Sequence, residues 1–120
     1  VTLKAGTLCT WPRKSLLRDS KRRPVVVLSP PYQGRATILV VPLSPDLTSR
    51  TLPLRPVIAA TGTNGLRVDS LALCDQLTCV LIDLLSEPFG RLDETELARL
   101  RRLGALALGL LPGDLTSGQP

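Results

Sequence analysis

One stretch of this chain has the pattern of a helix, and it comes last. Everything before it is a series of short aliphatic runs cut apart by proline, glycine and polar turns. Asp93 supplies an N-cap, Glu96 three residues on completes a capping box, and Glu94 complements the positive end of the helix. Leu97, Leu100, Gly104, Ala107, Leu108 and Leu111 then recur at helical spacing until Pro112 and Gly113 stop the element. Leu103, Leu106 and Leu110 widen the apolar face beyond one stripe, so this helix has more surface to cover than a single small sheet requires. A chain with one terminal helix and no earlier helical period must build its core from strands.

The strands can be placed from their boundaries. Residues 3–11 form a first short run, followed by a basic loop over 12–23. Pro24 opens Val25-Val26-Val27-Leu28-Ser29, a β-branched run whose first residue cannot donate a ladder bond, and residues 30–34 turn the chain. Residues 36–43 are the strongest strand, apolar enough to be buried on both faces. A polar loop over 44–53 leads to a weaker strand at 54–60 and a turn-rich connection at 61–69 containing Asn64-Gly65. Residues 70–77 alternate as a strand should. Residues 78–85 are ambiguous between strand and helical turn, and 87–92 read as a short last strand. The expected fold is mainly β with a C-terminal helix, an α+β class: a strongly bent antiparallel barrel or half-barrel closed by the helix. Residues 1–112 form one domain, and 113–120 a disordered tail.

Composition narrows the chemistry. The chain has no His, so Ser-His-Asp and Cys-His hydrolases and imidazole acid/base pairs are excluded, as is hydrolysis by a His-bound metal. The ten acids are scattered, so no magnesium cage is visible, and no metal or cofactor is expected. Trp11, Tyr32 and Phe89 are the only aromatic residues, too few for a module that reads RNA on rows of exposed rings. Cys9, Cys74 and Cys79 lack CxxC spacing and are expected to be reduced, half-buried small hydrophobes. No apolar run is long enough to span a membrane and the first residues lack a signal-peptide core, so a cytoplasmic protein is expected.

Charge is divided along the chain. Residues 1–60 carry ten Lys and Arg against two acids, and residues 61–120 carry five against eight, giving about +8 and −3 for the stated total of +5. The densest part holds Arg13, Lys14, Arg18, Lys21, Arg22 and Arg23, six cations within eleven residues opposed only by Asp19. Such a cluster favours a polyanion through phosphate contacts and counterion release, or it is a solvated basic loop.

In their order these features resemble the MazF/PemK/Kid toxins. The resemblance runs from Gly6 to Leu111. It rests on Gly6 through Trp11; on Arg23-Pro24 leading at once into Val25-Val26-Val27-Leu28-Ser29; on Val40-Val41-Pro42-Leu43-Ser44; on Asp75-Gln76; and on Ile82-Asp83 and Gly90-Arg91-Leu92 before the capped helix. It implies a small SH3-like, PemK/CcdB-like β-barrel, a two-fold homodimer packed through sheet and helix, an antitoxin partner, and endoribonuclease activity on single-stranded RNA. It also implies a metal-independent reaction in which the 2′-OH attacks phosphorus to give a 2′,3′-cyclic phosphate and a free 5′-OH.

Arg23 matches the family's catalytic arginine, Ser44 its catalytic threonine, and Asp75 a carboxylate proposed as general base. For Asp75 a structural salt bridge to a nearby arginine is an equal reading. Arg13, Lys14, Arg18, Lys21 and Arg22 would hold the RNA backbone, and Gln76 would read a base edge or satisfy backbone groups. The antitoxin expected on charge grounds has an acidic, disordered tail that competes with RNA.

The sequence departs from the pattern at Arg18, Leu17 and Leu73, where many members or the Kid-like ones have Glu, His and Arg. A catalytically impaired paralogue that binds RNA or antitoxin is therefore an alternative. A gyrase-binding toxin of the CcdB kind is another, although no Trp follows Trp11 to build that toxin's C-terminal Trp-Gly-Ile.

Overall fold

A computed structural model of the protein describes residues 3–13, 22–30, 34–111 and 113–114. Lys14, Leu17, Arg18, Asp19, Lys21, Tyr32 and nearly all of the expected tail lie outside these residues. The elements are β1 (Thr7–Trp11), β2 (Arg23–Val27), β3 (Thr37–Ser44), β4 (Val57–Ile58), β5 (Ser70–Ala72), β6 (Thr78–Leu81), β7 (Gly90–Arg91) and α1 (Glu94–Ala107). Two short 3-10 helices lie at Cys74–Gln76 and Ile82–Leu84.

All strand pairings are antiparallel, and the sheet runs β4-β5-β3-β2-β1-β7, with β6 also on β3. β3 is the strand around which the sheet bends. Its first half pairs with β6 from Thr37↔Leu81 to Val40↔Thr78, and its last residues pair with β5 at Leu43↔Ala72 and Ser44↔Leu71. Pro42, which has no N–H to offer, falls between the two ladders, where the loss of a donor disrupts neither. The result is the bent half-barrel with a terminal helix that the strand pattern implied.

Alternate residues of β1, β2 and β3 enter two separate aliphatic clusters. Leu8, Val26, Val41 and Leu43 join Ile58, Leu92, Leu97 and Leu100 beneath α1. Cys9, Val25, Val27, Ile38 and Val40 join Leu3, Val80 and Leu85 on the other face. Period-2 alternation thus buries both faces of β1 and β2. β3 departs from the expectation of burial on both faces throughout: Leu39, in the half paired with β6, is 41% exposed.

Helix α1 starts where its cap places it, with the Asp93 carboxylate accepting from the Glu96 N–H at 2.7 Å. The Glu96 side chain lies 3.8 Å from Arg99. Arg99 donates to the Val57 carbonyl at 3.0 Å and Arg101 to that of Leu28 at 3.3 Å, tying the helix to the edge strand β4 and to the end of β2. The helix ends at Ala107, earlier than the leucine periodicity implies. Gly109 takes φ +82, its N–H reaches the Leu106 carbonyl, and the Leu110 N–H reaches that of Ala105, the two bonds of a Schellman end. Leu108 and Leu111 are left exposed beyond it, and Leu106 with them on the last turn, while Leu100 is fully buried and Leu103 packs on the core.

Two other boundaries moved. Residues 70–77 divide into β5 and the 3-10 helix Cys74–Gln76, so Asp75 and Gln76 sit on a helical turn and not in a strand. The weak strand at 54–60 contracts to Val57–Ile58. Cys9 and Cys74 are fully buried, and burial pushes both thiols up to about 11, whereas Cys79 is exposed; all three are free. A buried thiol held protonated is no nucleophile at neutral pH.

Candidate functional site

The β1–β2 pair, the end of β3 and the segment 65–70 enclose a cleft of about 810 Å³. Arg23, the first residue of β2, enters it beside Arg22, whose Nε donates to the Pro12 carbonyl at 3.3 Å. Ser44, the last residue of β3, lines the same cleft, as do Asp46 and Arg67. Thr10, Leu66, Val68 and Phe89 contribute the less charged wall. Three guanidinium groups face one carboxylate among the described lining residues, an arrangement that attracts an anion and can bind phosphate in bidentate fashion.

Ser44 does two things at once. Its Oγ accepts from the Asp46 N–H at 3.2 Å, fixing the turn after β3, and its own proton stays available to donate. The turn is tightened further by Asp46, whose carboxylate accepts from the Thr48 N–H at 3.0 Å. The backbone bond from Thr48, then that from its hydroxyl, hold the Asp46 carboxyl below its ordinary 3.8, so it is ionised at neutral pH.

The wall carrying Arg67 is built by Asn64 and two glycines. Asn64 is buried; its side-chain oxygen accepts from the N–H groups of Thr61 and Leu66 at 3.2 and 3.1 Å, and its amide donates to the Ala59 carbonyl at 2.8 Å. Gly65, at φ +83, and Gly90 lie backbone against backbone. A Cβ on Gly90 would collide with the Asn64 carbonyl, and one on Gly65 would come within 2.5 Å of the Phe89 carbonyl oxygen. The Asn64-Gly65 turn signal in the sequence thus fixes one side of the cleft.

Of the residues expected to act, the structure brings Arg22, Arg23 and Ser44 together. Asp75 lies elsewhere. Arg55 donates to its two oxygens at 2.9–3.3 Å and reaches the Ser49 hydroxyl at 3.0 Å. Those hydrogen bonds hold the Asp75 carboxyl below its ordinary 3.8. Arg13 is exposed and its N–H donates to the Leu84 carbonyl, outside the cleft lining; Lys14, Arg18 and Lys21 lie outside the described residues.

Gln76 lines a second cavity, of about 440 Å³, with Trp11, Val25, Val40, Pro42 and Thr78, and Arg23 lines both. Sequence reasoning missed Arg67, Asp46 and Arg55. Arg67 and Arg55 stand apart from the basic run, and only the folding of the 61–69 loop against β7 carries the former to the cleft. Among the described residues no three His, Cys, Asp or Glu side chains converge as a metal site.

Comparisons with known proteins agree in one direction. The sequence profile described as PemK-like, MazF-like toxin of type II toxin-antitoxin system matches residues 10–107. The chain is 33% identical over 98 residues to Endoribonuclease MazF9 of Mycobacterium tuberculosis, an alignment covering 76% of this chain and 81% of that protein. Its fold is similar to the MazE-MazF crystal structure from Deinococcus radiodurans, with a TM-score of 0.71 at 22% identity, covering 92% of this chain and 100% of the other. It is also similar to an endoribonuclease in complex with its cognate antitoxin from a Mycobacterial species, with a TM-score of 0.66 at 16% identity, covering 92% and 96%.

Proposed function

Since the chain belongs to the PemK-like, MazF-like toxins of type II toxin-antitoxin systems, we propose that it is the endoribonuclease of such a pair and cleaves single-stranded RNA in the 810 Å³ cleft. The observation that carries this reading is the meeting of Arg23 and Ser44, two residues far apart in sequence, on one wall beside Arg22 and Arg67. RNA contains its own nucleophile. Its 2′-OH attacks the adjacent phosphorus, the P–O5′ bond breaks, and the products are a 2′,3′-cyclic phosphate and a 5′-OH.

Arg23 hydrogen-bonds the non-bridging oxygens, whose negative charge grows toward the pentacovalent state. Ser44 donates its remaining proton to the same phosphate. The 2′-OH proton needs an acceptor, and the departing 5′-oxygen takes its proton from water. Asp46 and Asp75 are both ionised at neutral pH, but Asp46 lies in the cleft while Asp75 is occupied by Arg55. Position precedes pKa in such an assignment and favours Asp46, a weak base that makes the step slow. Asp75, anchored by Arg55, holds the turn that presents Gln76.

The same cleft is the site where the acidic tail of the antitoxin excludes RNA. Its arginines suit carboxylates, and Val68 and Phe89, 54% and 39% exposed, offer apolar anchors that offset the cost of ordering the peptide. Leu106, Leu108 and Leu111 supply surface for a homodimer. The place of action is the cytoplasm; among the described residues no helix is long and apolar enough to cross a membrane.

The deciding experiment incubates the purified protein with a long transcript, with and without EDTA, and analyses the new ends. Cleavage that survives chelation and leaves 2′,3′-cyclic phosphate supports the reading; loss on chelation with recovery in magnesium overturns the mechanism. Binding of RNA without cleavage would establish the second reading, an impaired paralogue. What favours that reading is Leu73, 8% exposed in the core where Kid-like members carry an arginine, together with the Arg55–Asp75 pair.

A further inference from the structure

We infer that Arg55 is a positioning residue: its guanidinium clasps the loop 45–54 to the helical turn bearing Asp75, and so sets the Asp46 carboxylate in the cleft. The inference rests on the proposed RNA cleavage and deepens it, naming what holds the proton acceptor in place. Residues 45–56 join the end of β3 to the start of β4. Their first bonds are local: the Asp46 N–H donates to Ser44 Oγ, the Thr48 N–H to the Asp46 carboxylate, the Arg50 N–H to the Leu47 carbonyl and the Leu52 N–H to that of Ser49. Bonds between such near neighbours shape a turn and leave open where the turn lies against the sheet.

One side chain carries this loop to a distant element. Arg55 Nη1 donates to the Ser49 hydroxyl at 3.0 Å, while its Nε and Nη2 donate to the Asp75 carboxylate at 2.9–3.3 Å, twenty positions along the chain. Among the described residues, 45–53 have no other hydrogen bond to a partner outside 44–53. The Arg55 side chain is 17% exposed, so these bonds enclose it and it is not a cation held out to phosphate.

The backbone beside it is under strain. Leu54 takes φ +69, a left-handed conformation that a leucine rarely adopts, while its carbonyl accepts from the Cys74 N–H at 3.1 Å and its side chain packs on the core. Such strain persists only where the surroundings over-determine it, and it clusters where a geometry is needed. Here the chain turns so that Arg55 meets Ser49 on one side and Asp75 on the other. The arginines that would hold the phosphate lie on other segments, Arg22 and Arg23 on the run into β2 and Arg67 after Gly65. With the clasp open they still bind RNA, but Asp46, three residues before Ser49, is free to shift away from the 2′-OH. A proton acceptor misplaced by even about 1 Å slows the chemistry and leaves binding untouched.

Ser49→Ala removes the loop's arm of the clasp and leaves the Arg55–Asp75 pair intact. It should lower kcat about ten-fold with KM within about two-fold of the native value, and Ser49→Thr, which keeps the hydroxyl, should restore most of the rate. Arg55→Lys, whose single ammonium cannot span both partners, should match Ser49→Ala. Asp75→Asn keeps an oxygen that accepts from Arg55, so the clasp stays closed in that variant. In an Asp46→Asn background, Ser49→Ala should cost no further rate, because the two changes act through one group. Arg50 is exposed one residue after Ser49, so trypsin should cut after it at least about two-fold faster in Ser49→Ala, read from the fragment masses.

An unchanged kcat in Ser49→Ala would overturn the inference, as would a rise in KM alone or an equal loss of rate in both Asp46 backgrounds. The trypsin arm needs no catalysis: faster cutting after Arg50 in a protein that never cleaves RNA would sustain the clasp and refute the nuclease. RNA cleavage that Ser49→Ala leaves at the native rate would do the reverse.

Discussion

The two cavities that meet at Arg23 are built on opposite principles. The larger faces its ligand with three guanidinium groups and one carboxylate, most of them on loops or strand ends. The smaller presents aliphatic side chains from the middle of β2, β3 and β6 with a few neutral polar groups. Charge acts at a distance and is screened by salt, so under the proposed function the first cavity would set affinity for the RNA backbone and stabilise the transition state. Apolar contacts act only at touching distance, so the second responds to shape and hardly at all to charge. The contrast teaches that a basic cluster in a sequence locates the polyanion and says little about its letters.

The strongest test of this division removes the residue that both cavities share. Arg23→Ala should lower cleavage by about a hundred- to a thousand-fold, as removing one transition-state donor does, with little change in thermal stability. Arg23→Lys should restore only part, since a single ammonium cannot reproduce the paired donors. Single-turnover rates and a melting curve decide it; near wild-type cleavage would make Arg23 structural.

Next comes the wall of the charged cleft. Gly90→Ala forces a methyl into the Asn64 backbone and should cost about 1–3 kcal/mol, read as a lower denaturation midpoint. Gly104→Ala is its control. There the added methyl would meet only Leu28 and Leu77 side-chain carbons at 3.6 and 3.8 Å, so the variant should hold or gain up to about 1 kcal/mol through helix propensity. Equal losses at both glycines would mean that the close approach of Gly65 and Gly90 is not what fixes the wall.

A smaller effect should separate the charged cleft from its neutral neighbour. Arg67→Ala should weaken RNA binding by about ten-fold at low salt and reduce the slope of log affinity against log salt by about one, without altering base preference. A changed preference would place Arg67 in base reading instead.

The smallest concerns Asp75. Its carboxyl is depressed by the hydrogen bonds from Arg55, so the pair's contribution is complete above the ordinary carboxylate value of 3.8 and is lost as pH falls through the lower folded value. The pair is partly exposed, so Asp75→Asn should cost at most about 1 kcal/mol at pH 7, with the difference from the native chain vanishing as pH falls below the lowered folded value. Denaturant midpoints across pH would show it; a larger loss of cleavage than of stability would return Asp75 to a direct role in the chemistry.

Much of this was legible from residue order alone. The β-branched run after Pro24, the long strand before Ser44 and the Asp93 cap are local signals, and local backbone preference suffices to place them. Arg23-Pro24 and Ser44 were placed at strand ends by that pattern, but marked for chemistry only through the family resemblance. Where local signals competed, the sequence misled: leucine periodicity runs on to Leu111, but Gly109 ends the helix through two backbone bonds that the period does not register. Asp75-Gln76 alternates like a strand, yet its chain tightens into a 3-10 turn after β5.

Contacts between distant segments were beyond reach. Arg55 claims Asp75 across twenty positions, and Arg67 reaches the cleft only because Gly65 and Gly90 let two backbones touch. The sequence by itself determined the elements, the aliphatic core and the sign of the field, since these follow from each residue and its near neighbours. Which carboxylate lines the cleft and which arginines converge there were decided by tertiary structure, because each depends on side chains that meet only when the sheet bends around β3.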